Sequence, residues 1–308
     1  MKTYDVIIVG GGPAGYSAAL YCARAGLETL VVEKLSAGGQ MATTALVDNY
    51  PGFDEGIDGF VLAEKMARGA TRFGAETQYA EVTGFDLKSA PKCVETTDGT
   101  LTAKAVVLAM GASPRELGLT GERELRGRGI HYCATCDAMF YKGKVVSVIG
   151  GGNTAVADAL TLSRMSKKVY IVHRRDQLRA TKNYLDPLQR AGNIEIVWNA
   201  LITGFERADD GKFTGLAMTD KVTGDQTVLS CDGAFVAIGR SPDSALVKDQ
   251  LDVDDGGYIV ADETTRTSLP GVFAVGDIRT KPLRQIVTAA ADGATASVFA
   301  EEYINELK

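Results

Sequence analysis

The pattern of apolar and polar positions contains two copies of one arrangement: a short buried strand, a glycine-rich turn and an apolar helix. In the first copy, Val6-Ile7-Ile8-Val9 leads into Gly10-Gly11-Gly12-Pro13-Ala14-Gly15; such a β-branched run is typical of a strand buried on both faces. In the second copy, Val145-Val146-Ser147-Val148-Ile149 leads into Gly150-Gly151-Gly152-Asn153-Thr154-Ala155. The repeat predicts an α/β fold with two Rossmann-like domains, each built on a doubly wound parallel sheet.

Ser-Pro steps close both copies and predict where the chain passes from one domain to the other. An apolar strand pattern precedes Ser113-Pro114, and a similar pattern precedes Ser241-Pro242. The C-terminal segment contains no third glycine motif and is too short for a domain of its own, so we expect it to complete the first domain. We therefore predict a discontinuous domain, residues 1–114 with 243–308, into which a second domain, residues 115–242, is inserted.

The first glycine motif has the chemistry of a dinucleotide site. Gly10, Gly12 and Gly15 follow the strand–GxGxxG–helix rule, in which glycines allow a tight turn and a close approach of the backbone to a pyrophosphate. Glu33 ends the next strand pattern, 33 − 10 = 23 residues beyond Gly10, where a carboxylate holds ribose hydroxyls. The strand, helix and placed carboxylate together favour a dinucleotide site over a turn without a ligand.

The second glycine motif differs from the first at the ribose position. The same offset from Gly150 falls on His173, because 173 − 150 = 23, and Arg174 and Arg175 follow it, with Arg179 one helical turn beyond. Arginines hold a 2′-phosphate with charge-assisted hydrogen bonds, whereas a carboxylate repels it. A solvated basic turn is the alternative, but the coincidence with the ribose offset favours NADPH.

Cys133 and Cys136, with Asp137 directly after them, lie between the two glycine motifs. Two cysteines three residues apart in a turn or helix start have β-carbons about 5–6 Å apart, close enough to form a disulfide. Closing so small a loop stabilises a fold little. The pair is therefore predicted to be a redox couple, with Asp137 placed to shuttle a proton as the couple opens and closes.

The other cysteines and the preceding histidine suggest weaker alternatives. A zinc site would need a second ligand pair, and no remaining cysteine has metal-ligand spacing, so no metal is predicted. Buried apolar packing is expected for these three thiols: Cys22, Cys93 and Cys231. His131 is a conceivable base, but we expect it to be a structural or surface residue.

Composition narrows the class of protein. The chain has 308 residues, with 33 basic and 39 acidic residues and a net charge of −6, which argues against a nucleic-acid partner. No apolar run approaches the ~20 residues needed to cross a bilayer, and the N-terminal residues have a strand pattern rather than that of a signal peptide. Five cysteines do not suggest a secreted disulfide framework. We expect a cytoplasmic location.

These motifs resemble a known family along essentially the whole chain. Cys-Ala-Thr-Cys-Asp before Gly-Gly-Gly-Asn-Thr-Ala and His-Arg-Arg-x-x-x-Arg is similar to the bacterial-type, low-molecular-weight thioredoxin reductases, a class of FAD- and NADPH-dependent pyridine nucleotide-disulfide oxidoreductases. The resemblance implies that the discontinuous domain binds FAD and the inserted domain binds NADPH. The implied FAD site comprises Gly10, Gly12, Pro13, Ala14, Gly15, Glu33, Gly39, Gln40, Asn49, Gly111, Gly276, Asp277, Arg284, Gln285 and Ile286. The implied NADPH site comprises Gly150, Gly152, Asn153, Thr154, His173, Arg174, Arg175 and Arg179.

The resemblance also implies a reaction. A hydride passes from NADPH to FAD, electrons pass to the Cys133–Cys136 disulfide, and the dithiol exchanges with thioredoxin. In this scheme Cys136 faces the flavin, Cys133 attacks the substrate disulfide, and Asp137 donates the proton. The nicotinamide and the disulfide cannot stack on one flavin face together, so a domain rotation between half-reactions is expected, as is a homodimer.

One departure from the family lies beside the cysteine pair, and the motifs leave rival functions open. Ala138-Met139 follow Asp137 where the family usually has glycine and an aromatic residue, which bears on the identity of the partner. The rival functions are a flavin-dependent dithiol oxidase, or a reductase of a different small redox protein. A non-catalytic flavoprotein has no need of the paired cysteines.

Overall fold

The computed structural model describes residues 2–44 and 46–307. The chain divides into two compact units: unit 1 runs up to Ser113 and resumes at Ser241, and unit 2 is Pro114–Arg240. The second unit is therefore inserted in the first, and the predicted α/β fold class is confirmed. The first boundary lies one residue before the predicted position, and the second lies two residues before it.

The strands and helices alternate in the order expected for nucleotide-binding folds. The strands are β1 (Thr3–Val9), β2 (Thr29–Glu33), β3 (Glu76–Tyr79), β4 (Val82–Asp86), β5 (Lys92–Thr96), β6 (Gly99–Leu108), β7 (Ala112–Pro114), β8 (Ile130–His131), β9 (Val145–Ile149), β10 (Lys168–Val172), β11 (Ile194–Val197), β12 (Ala200–Arg207), β13 (Phe213–Asp220), β14 (Gln226–Ser230), β15 (Gly233–Val236), β16 (Arg240–Pro242) and β17 (Val272–Ala274). The helices are α1 (Pro13–Arg24), α2 (Gly59–Thr71), α3 (Ala134–Asp137), α4 (Asn153–Ser163), α5 (Lys182–Arg190) and α6 (Ile286–Glu306).

Unit 1 is built on a seven-stranded sheet in the order β3-β2-β1-β6-β5-β4, with β17 also paired to β6. Strands β3, β2, β1, β6 and β17 run parallel, whereas β4 and β5 are antiparallel additions. The central strands are fully buried because both of their faces are apolar, as Ile7, Ile8 and Val107 illustrate. The carboxyl ends of the parallel strands therefore meet at one edge, where ligands of such sheets bind.

Helices α1 and α6 pack closely on one another. A β-carbon on Gly293 of α6 would lie 2.7 Å from the backbone nitrogen of Ala18 in α1, so the glycine permits the close contact. Helix α6 has 21 residues, from Ile286 to Glu306. Its start is defined by a capping box in which Gln285 and Thr288 satisfy each other's backbone N–H groups.

Unit 2 has a five-stranded parallel sheet in the order β11-β10-β9-β15-β8. A separate antiparallel sheet contains β12, β13 and β14. The core around the parallel sheet includes Val148 of β9, Ile171 of β10 and Phe235 of β15, each at most 1 % exposed. The second glycine loop follows β9, the central strand, as the first follows β1.

The two Ser-Pro steps form the chain crossings between the units. Strands β7 and β16, which contain Ser113-Pro114 and Ser241-Pro242, pair as a two-stranded sheet. A residue before proline is restricted to extended conformations, which explains the strand conformation at both steps.

Within the described residues, none of the helices combines the length and apolar character needed to cross a membrane.

Candidate active site

Cys133 and Cys136 form a disulfide at the start of the single-turn helix α3. Their Cα atoms are 5.3 Å apart. Cys133 is the N-cap of the turn, and its Sγ accepts a hydrogen bond of 3.2 Å from the backbone N–H of Cys136. A donor aimed at sulfur favours negative charge there once the bond is reduced, because a hydrogen bond to the charged form of a group stabilises that form.

Asp137 lies beside the disulfide and is held by a buried histidine. Oδ2 of Asp137 is 2.9 Å from Nδ1 of His131, and Nε2 of that ring is 2.6 Å from the phenol oxygen of Tyr141. His131 also stacks on Phe235, with ring centroids 5.1 Å apart. The expectation that His131 is only a structural or surface residue is therefore incomplete, because its ring is 6 % exposed and bonded to the candidate proton donor.

The ring of Tyr141 fits against the backbone of the neighbouring strand. A β-carbon on Gly233 in β15 would overlap this ring, so glycine is required there. Burial raises the pKa of the Tyr141 phenol above its ordinary value, and the negative charges of Asp137 and Asp232 add to the shift. The phenol therefore keeps its proton at neutral pH.

The surface next to the disulfide is apolar. Met139 is 56 % exposed and Phe140 is 45 % exposed, in the 3-10 helix Ala138–Tyr141 that follows α3. Large apolar side chains exposed together mark contact surfaces more often than packing errors.

In unit 1, the first glycine loop has the shape of a pyrophosphate site. Gly10 has φ +105°, and a β-carbon there would lie 2.5 Å from the carbonyl oxygen of Ala109. A β-carbon on Gly15 would overlap the carbonyl of Gly10. Gly12 has nothing within 4 Å of its β-carbon position, and α1 begins at the next residue. The backbone is thus close-packed on one side and open on the other, at a helix N-terminus that attracts anions.

Pro13 and Ala14 continue this loop into α1, and Glu33 lies beside it. Pro13 occupies the first turn of the helix, where its missing N–H is not needed. Oε2 of Glu33 accepts a 2.6 Å hydrogen bond from the N–H of Gly11, and Oε1 accepts one of 3.2 Å from Leu35. Each carboxylate oxygen retains acceptor capacity for a ribose hydroxyl.

Four other FAD-site candidates lie in unit 1, and one of them borders the same loop. Gly39 lies with its β-carbon position 3.7 Å from Cα of Gly12. The amide of Gln40 donates to the carbonyl of Ala112 at 2.6 Å. Gly111, next to Ala112, has φ +77°, and Asn49 donates to Oε1 of Gln285 at 2.9 Å. The segment at Gly39-Gln40, which the sequence indicated as a loop, is in fact the 3-10 helix Gly39–Thr43.

The C-terminal return brings the remaining candidates to this edge. Gly276 and Asp277 start a 3-10 helix after β17, and the β-carbon position of Gly276 is 2.9 Å from that of Ala14. Arg284 donates to the carbonyl oxygens of Asp277 and Arg279 at 3.3 and 3.1 Å. Gln285 caps α6, and Ile286 is its first residue. These contacts bring the C-terminal candidates together at the carboxyl end of β17, beside the start of α1.

In unit 2, the second glycine loop repeats this geometry. A β-carbon on Gly150 would lie 2.5 Å from the carbonyl oxygen of Ala237, whereas Gly152 has nothing within 4 Å of its β-carbon position. Asn153 and Thr154 begin α4, and Oδ1 of Asn153 accepts a 2.8 Å hydrogen bond from the N–H of Thr181.

His173 follows β10 and lies on the glycine loop. A β-carbon on Gly151 would overlap its ring, which is 5 % exposed. Burial lowers the pKa of His173, and the charges of Arg179 and Arg175 lower it further, so the imidazole is neutral at neutral pH. Nε2 of this ring is one of two buried side-chain atoms, among the described residues, without a hydrogen-bond partner, so it can accept or donate a bond to a polar ligand.

The three arginines lie around this ring and are exposed. The N–H of Arg179 donates to the carbonyl of Gly151 at 2.7 Å, and the carbonyl of Arg175 accepts from Asn199 at 3.2 Å. None of Arg174, Arg175 and Arg179 has an ion-pair partner among the described residues. The sequence spacing suggested a helical position for Arg179. In the structure it lies in an irregular segment that returns to the glycine loop. The residues therefore fit the phosphates of NADPH.

Two features of the site had no clear sequence signal. Tyr141 is ten residues from His131, and only the pairing of β8 with β15 brings both rings onto Phe235. Trp198 is 38 % exposed, and its ring lies 6.4 Å from that of His173. For the contact between His131 and Asp137, the one sequence hint was a histidine six residues before an aspartate.

Comparisons with known proteins agree with this geometry. The family of pyridine nucleotide-disulphide oxidoreductases matches residues 4–293. The thioredoxin reductase of Listeria monocytogenes is 46 % identical, covering 100 % of this chain and 96 % of its own. The bifunctional thioredoxin reductase/thioredoxin of Mycobacterium leprae is 45 % identical, covering 98 % of this chain and 66 % of its own. The crystal structure of thioredoxin reductase from Streptococcus pyogenes, 40 % identical, covers 99 % of both chains with a TM-score of 0.91.

The resemblance predicted from the motifs is thus confirmed. The cofactors of this family and of its thioredoxin reductases are FAD and NADPH, the two that the resemblance implies. The chain belongs to the pyridine nucleotide-disulphide oxidoreductase family.

Proposed function

We propose that this protein is an NADPH-dependent thioredoxin-disulfide reductase. The observation that carries the proposal is the Cys133–Cys136 disulfide within the unit that also holds the arginines. A disulfide on the nicotinamide-binding unit, next to an exposed apolar surface, suits the passage of electrons from a nucleotide to a second protein.

Each unit has a separate binding task in this reaction. FAD, when bound, accepts a hydride from NADPH and supplies two electrons to the disulfide. Unit 1 offers the glycine loop and Glu33 for its pyrophosphate and ribose. Unit 2 offers the second loop and three arginines, and each charge-assisted hydrogen bond to a 2′-phosphate contributes roughly 1.5–3 kcal/mol.

The thiol chemistry follows from the positions of the two sulfurs. Two electrons and a proton convert the disulfide into one thiolate and one thiol. Cys133 is the proposed attacking thiolate, because its Sγ accepts a hydrogen bond from the N–H of Cys136. It forms a mixed disulfide with the substrate and releases one substrate sulfur, which takes a proton. Cys136 then attacks Cys133, regenerates the internal disulfide and releases the second substrate thiol, with Asp137 as the proposed proton donor.

The partner is proposed to be thioredoxin or a thioredoxin-like protein. Met139 and Phe140 offer an apolar contact surface beside the sulfurs. Support also comes from the Mycobacterium leprae relative, in whose name thioredoxin reductase and thioredoxin stand together.

Insulin reduction with NADPH tests the proposal. Wild-type protein with a candidate thioredoxin should turn insulin turbid and consume NADPH. Cys133→Ser and Cys136→Ser should each abolish this turnover, whereas Cys93→Ser, which changes a thiol outside the disulfide, should not. Turnover that survives in both active-site variants would contradict the proposal.

Anaerobic mixing with NADPH separates the reductase from its main rival. The reductase should bleach its flavin with NADPH in the absence of oxygen. A dithiol oxidase would instead be reduced by small dithiols and would not respond to NADPH, and the arginines around His173 favour the first outcome.

A homodimer and a cytoplasmic location remain predictions. Self-association of unit 1 is supported by three exposed aromatic side chains: Tyr21 on α1, Phe60 on α2 and Phe73 just beyond α2. Light scattering after gel filtration should give twice the chain mass, and a monomer at micromolar concentration would contradict the dimer.

A further inference from the structure

The hydrogen bonds of His131 define the tautomer of its ring. Nδ1 faces Asp137 at 2.9 Å, and Nε2 faces the phenol of Tyr141 at 2.6 Å. The phenol keeps its proton because burial raises its pKa. A carboxylate only accepts hydrogen bonds. Tyr141 therefore donates to Nε2, and Nδ1–H donates to Asp137.

This arrangement leaves the two oxygens of Asp137 in different situations. Oδ2 is occupied by the imidazole, whereas Oδ1 has no hydrogen-bond partner among the described residues. The backbone N–H of Asp137 bonds to the carbonyl of Cys133 at 3.2 Å, so the carboxylate is attached to the same turn as the sulfurs. One oxygen is fixed and the other is available to carry a proton.

Few other titratable groups surround this network. On the turn itself are the two cysteines, and on the adjoining 3-10 helix is Tyr141. Just beyond that helix, Nζ of Lys144 lies 5.2 Å from the centre of the Tyr141 ring. Preceding β15 are the buried thiol of Cys231 and the carboxylate of Asp232, both of which act on the phenol of Tyr141. Asp232 is bound to the N–H of Val145 at 2.9 Å. No arginine or lysine contacts Asp137 among the described residues, so His131 is its polar anchor.

We propose that His131, held by Tyr141, is a positioning residue that orients Asp137 and keeps its carboxylate available for proton transfer. The inference rests on the proposed function. In the resolving step, Asp137 takes the proton of the Cys136 thiol through Oδ1 as Cys136 attacks Cys133. The bond between Cys133 and the substrate sulfur breaks, and Asp137 passes the proton to the departing sulfur.

The pH profile of kcat/KM for thioredoxin tests this role. Asp137→Asn first identifies the limb of the profile that depends on the carboxylate, because that limb should disappear. In His131→Ala, the limb should move to higher pH by about one unit, since the carboxylate loses a hydrogen-bond donor. In His131→Asn, where the amide can replace Nδ1–H, the limb should stay near its wild-type position. The rate at which NADPH bleaches the flavin should be unchanged in the two His131 variants.

Tyr141→Phe provides a second test that keeps the imidazole in place. It should shift the same limb in the same direction by a smaller amount, because Nε2 loses its donor. Tyr132→Phe is the matched control, since it removes a 2.7 Å phenol hydrogen bond to Glu122 in the same segment without touching Asp137. The proposal is overturned if His131→Ala leaves the limb in place, if His131→Asn shifts it as far as alanine does, or if both tyrosine variants behave alike.

A measurement without thioredoxin separates this inference from the proposed function. Protein reduced with dithiothreitol is alkylated with iodoacetamide across pH, and the modification of Cys133 is followed by peptide mass. His131→Ala should shift this profile to higher pH by roughly half a unit, because a less well held carboxylate disfavours a nearby thiolate more. An unshifted profile overturns the role of His131. Failure of wild-type protein to reduce any thioredoxin would reject the proposed function alone.

Discussion

Single residues distinguish the two nucleotide loops. At the same offset from the first glycine, unit 1 has Glu33 and unit 2 has His173 followed by arginines. The carboxylate suits ribose hydroxyls, whereas Arg174 and Arg175 suit a phosphate. Because the loops are otherwise alike in their close-packed and open glycines, the choice of nucleotide depends on these side chains.

Replacing Arg174 and Arg175 together by serine should abolish the preference for NADPH. The loss of two charge-assisted hydrogen bonds, roughly 1.5–3 kcal/mol each, should raise KM for NADPH by a factor of about a hundred or more. KM for NADH should change little. Arg164→Ser, an exposed arginine at the far end of α4, is the control. Equal effects on both nucleotides would show that these side chains do not recognise the phosphate.

Within the strand–loop–helix element, the glycines of one motif have different tasks. Gly15 permits a helix–loop contact that any side chain would block, while Gly12 faces open space. The first is a requirement of the fold, and the second a requirement of the ligand.

Gly12→Ala and Gly15→Ala should therefore separate stability from FAD binding. Gly12→Ala should leave the melting temperature of the flavin-free protein near wild type but lower its affinity for FAD at least tenfold, because a methyl group enters the open space. Gly15→Ala should destabilise the flavin-free protein by about 1–3 kcal/mol through overpacking. Calorimetry and flavin fluorescence measure the two effects, and matching losses of stability would refute the distinction.

Helix α6 is tied to the Gly276 turn by a buried carboxylate. The carboxylate of Asp292 accepts hydrogen bonds from Arg279 at 2.9 and 3.0 Å, from Lys281 at 2.7 Å and from the N–H of Gly276 at 2.9 Å. Burial acts to raise the pKa of Asp292, but the hydrogen bonds of Arg279 and Lys281 outweigh it and hold that pKa below its ordinary value. A depressed pKa stabilises the fold above the unfolded value, and this contribution is lost as pH falls.

Asp292→Asn should destabilise unit 1 strongly at neutral pH. Breaking a buried pair leaves Arg279 without its counter-charge and should cost about 3–5 kcal/mol. The difference from wild type should shrink as pH falls below about 4, because the Asp292 carboxyl of the unfolded chain then takes up a proton that the folded carboxylate still resists. Urea midpoints at pH 7 and pH 3.5 measure this. Glu302→Gln is the control, because it removes an exposed ion pair between Glu302 of the same helix and Arg266, and it should cost less than about 1 kcal/mol. A difference between Asp292→Asn and wild type that does not change with pH would contradict the argument.

At the scale of the whole molecule, the chain crosses between the units only at β7 and β16. The nicotinamide and the disulfide must reach the flavin in turn, and the disulfide must also reach a protein substrate. Two short crossings paired with each other are suited to a hinge, because few residues absorb the change. We therefore expect the reaction to require a rotation of one unit against the other.

A short lysine-reactive crosslink between the units should stop turnover while FAD stays bound. The singly linked product is selected by peptide mass, and a monofunctional reagent that modifies the same lysines is the control. Insulin reduction should fall by at least tenfold in the linked protein only. Full turnover in the linked protein would exclude the rotation.

The sequence by itself determined the fold class, both glycine loops and the redox pair, because these depend on local patterns. Buried β-branched runs, glycine spacing and a Cys-x-x-Cys motif are readable over a few residues. The predicted strand Val145–Ile149 matches β9. The start of α6 was not predicted, because the end cap formed by Gln285 and Thr288 depends on side-chain geometry.

Only the tertiary structure decided which distant residues share a site. Parallel pairing of β8 with β15 places His131 and Tyr141 on Phe235 and thereby anchors Asp137. Packing between segments 236 residues apart joins Asn49 to Gln285. Such partnerships have no period or spacing in the chain, because strand pairing and core packing select them after the local elements have formed.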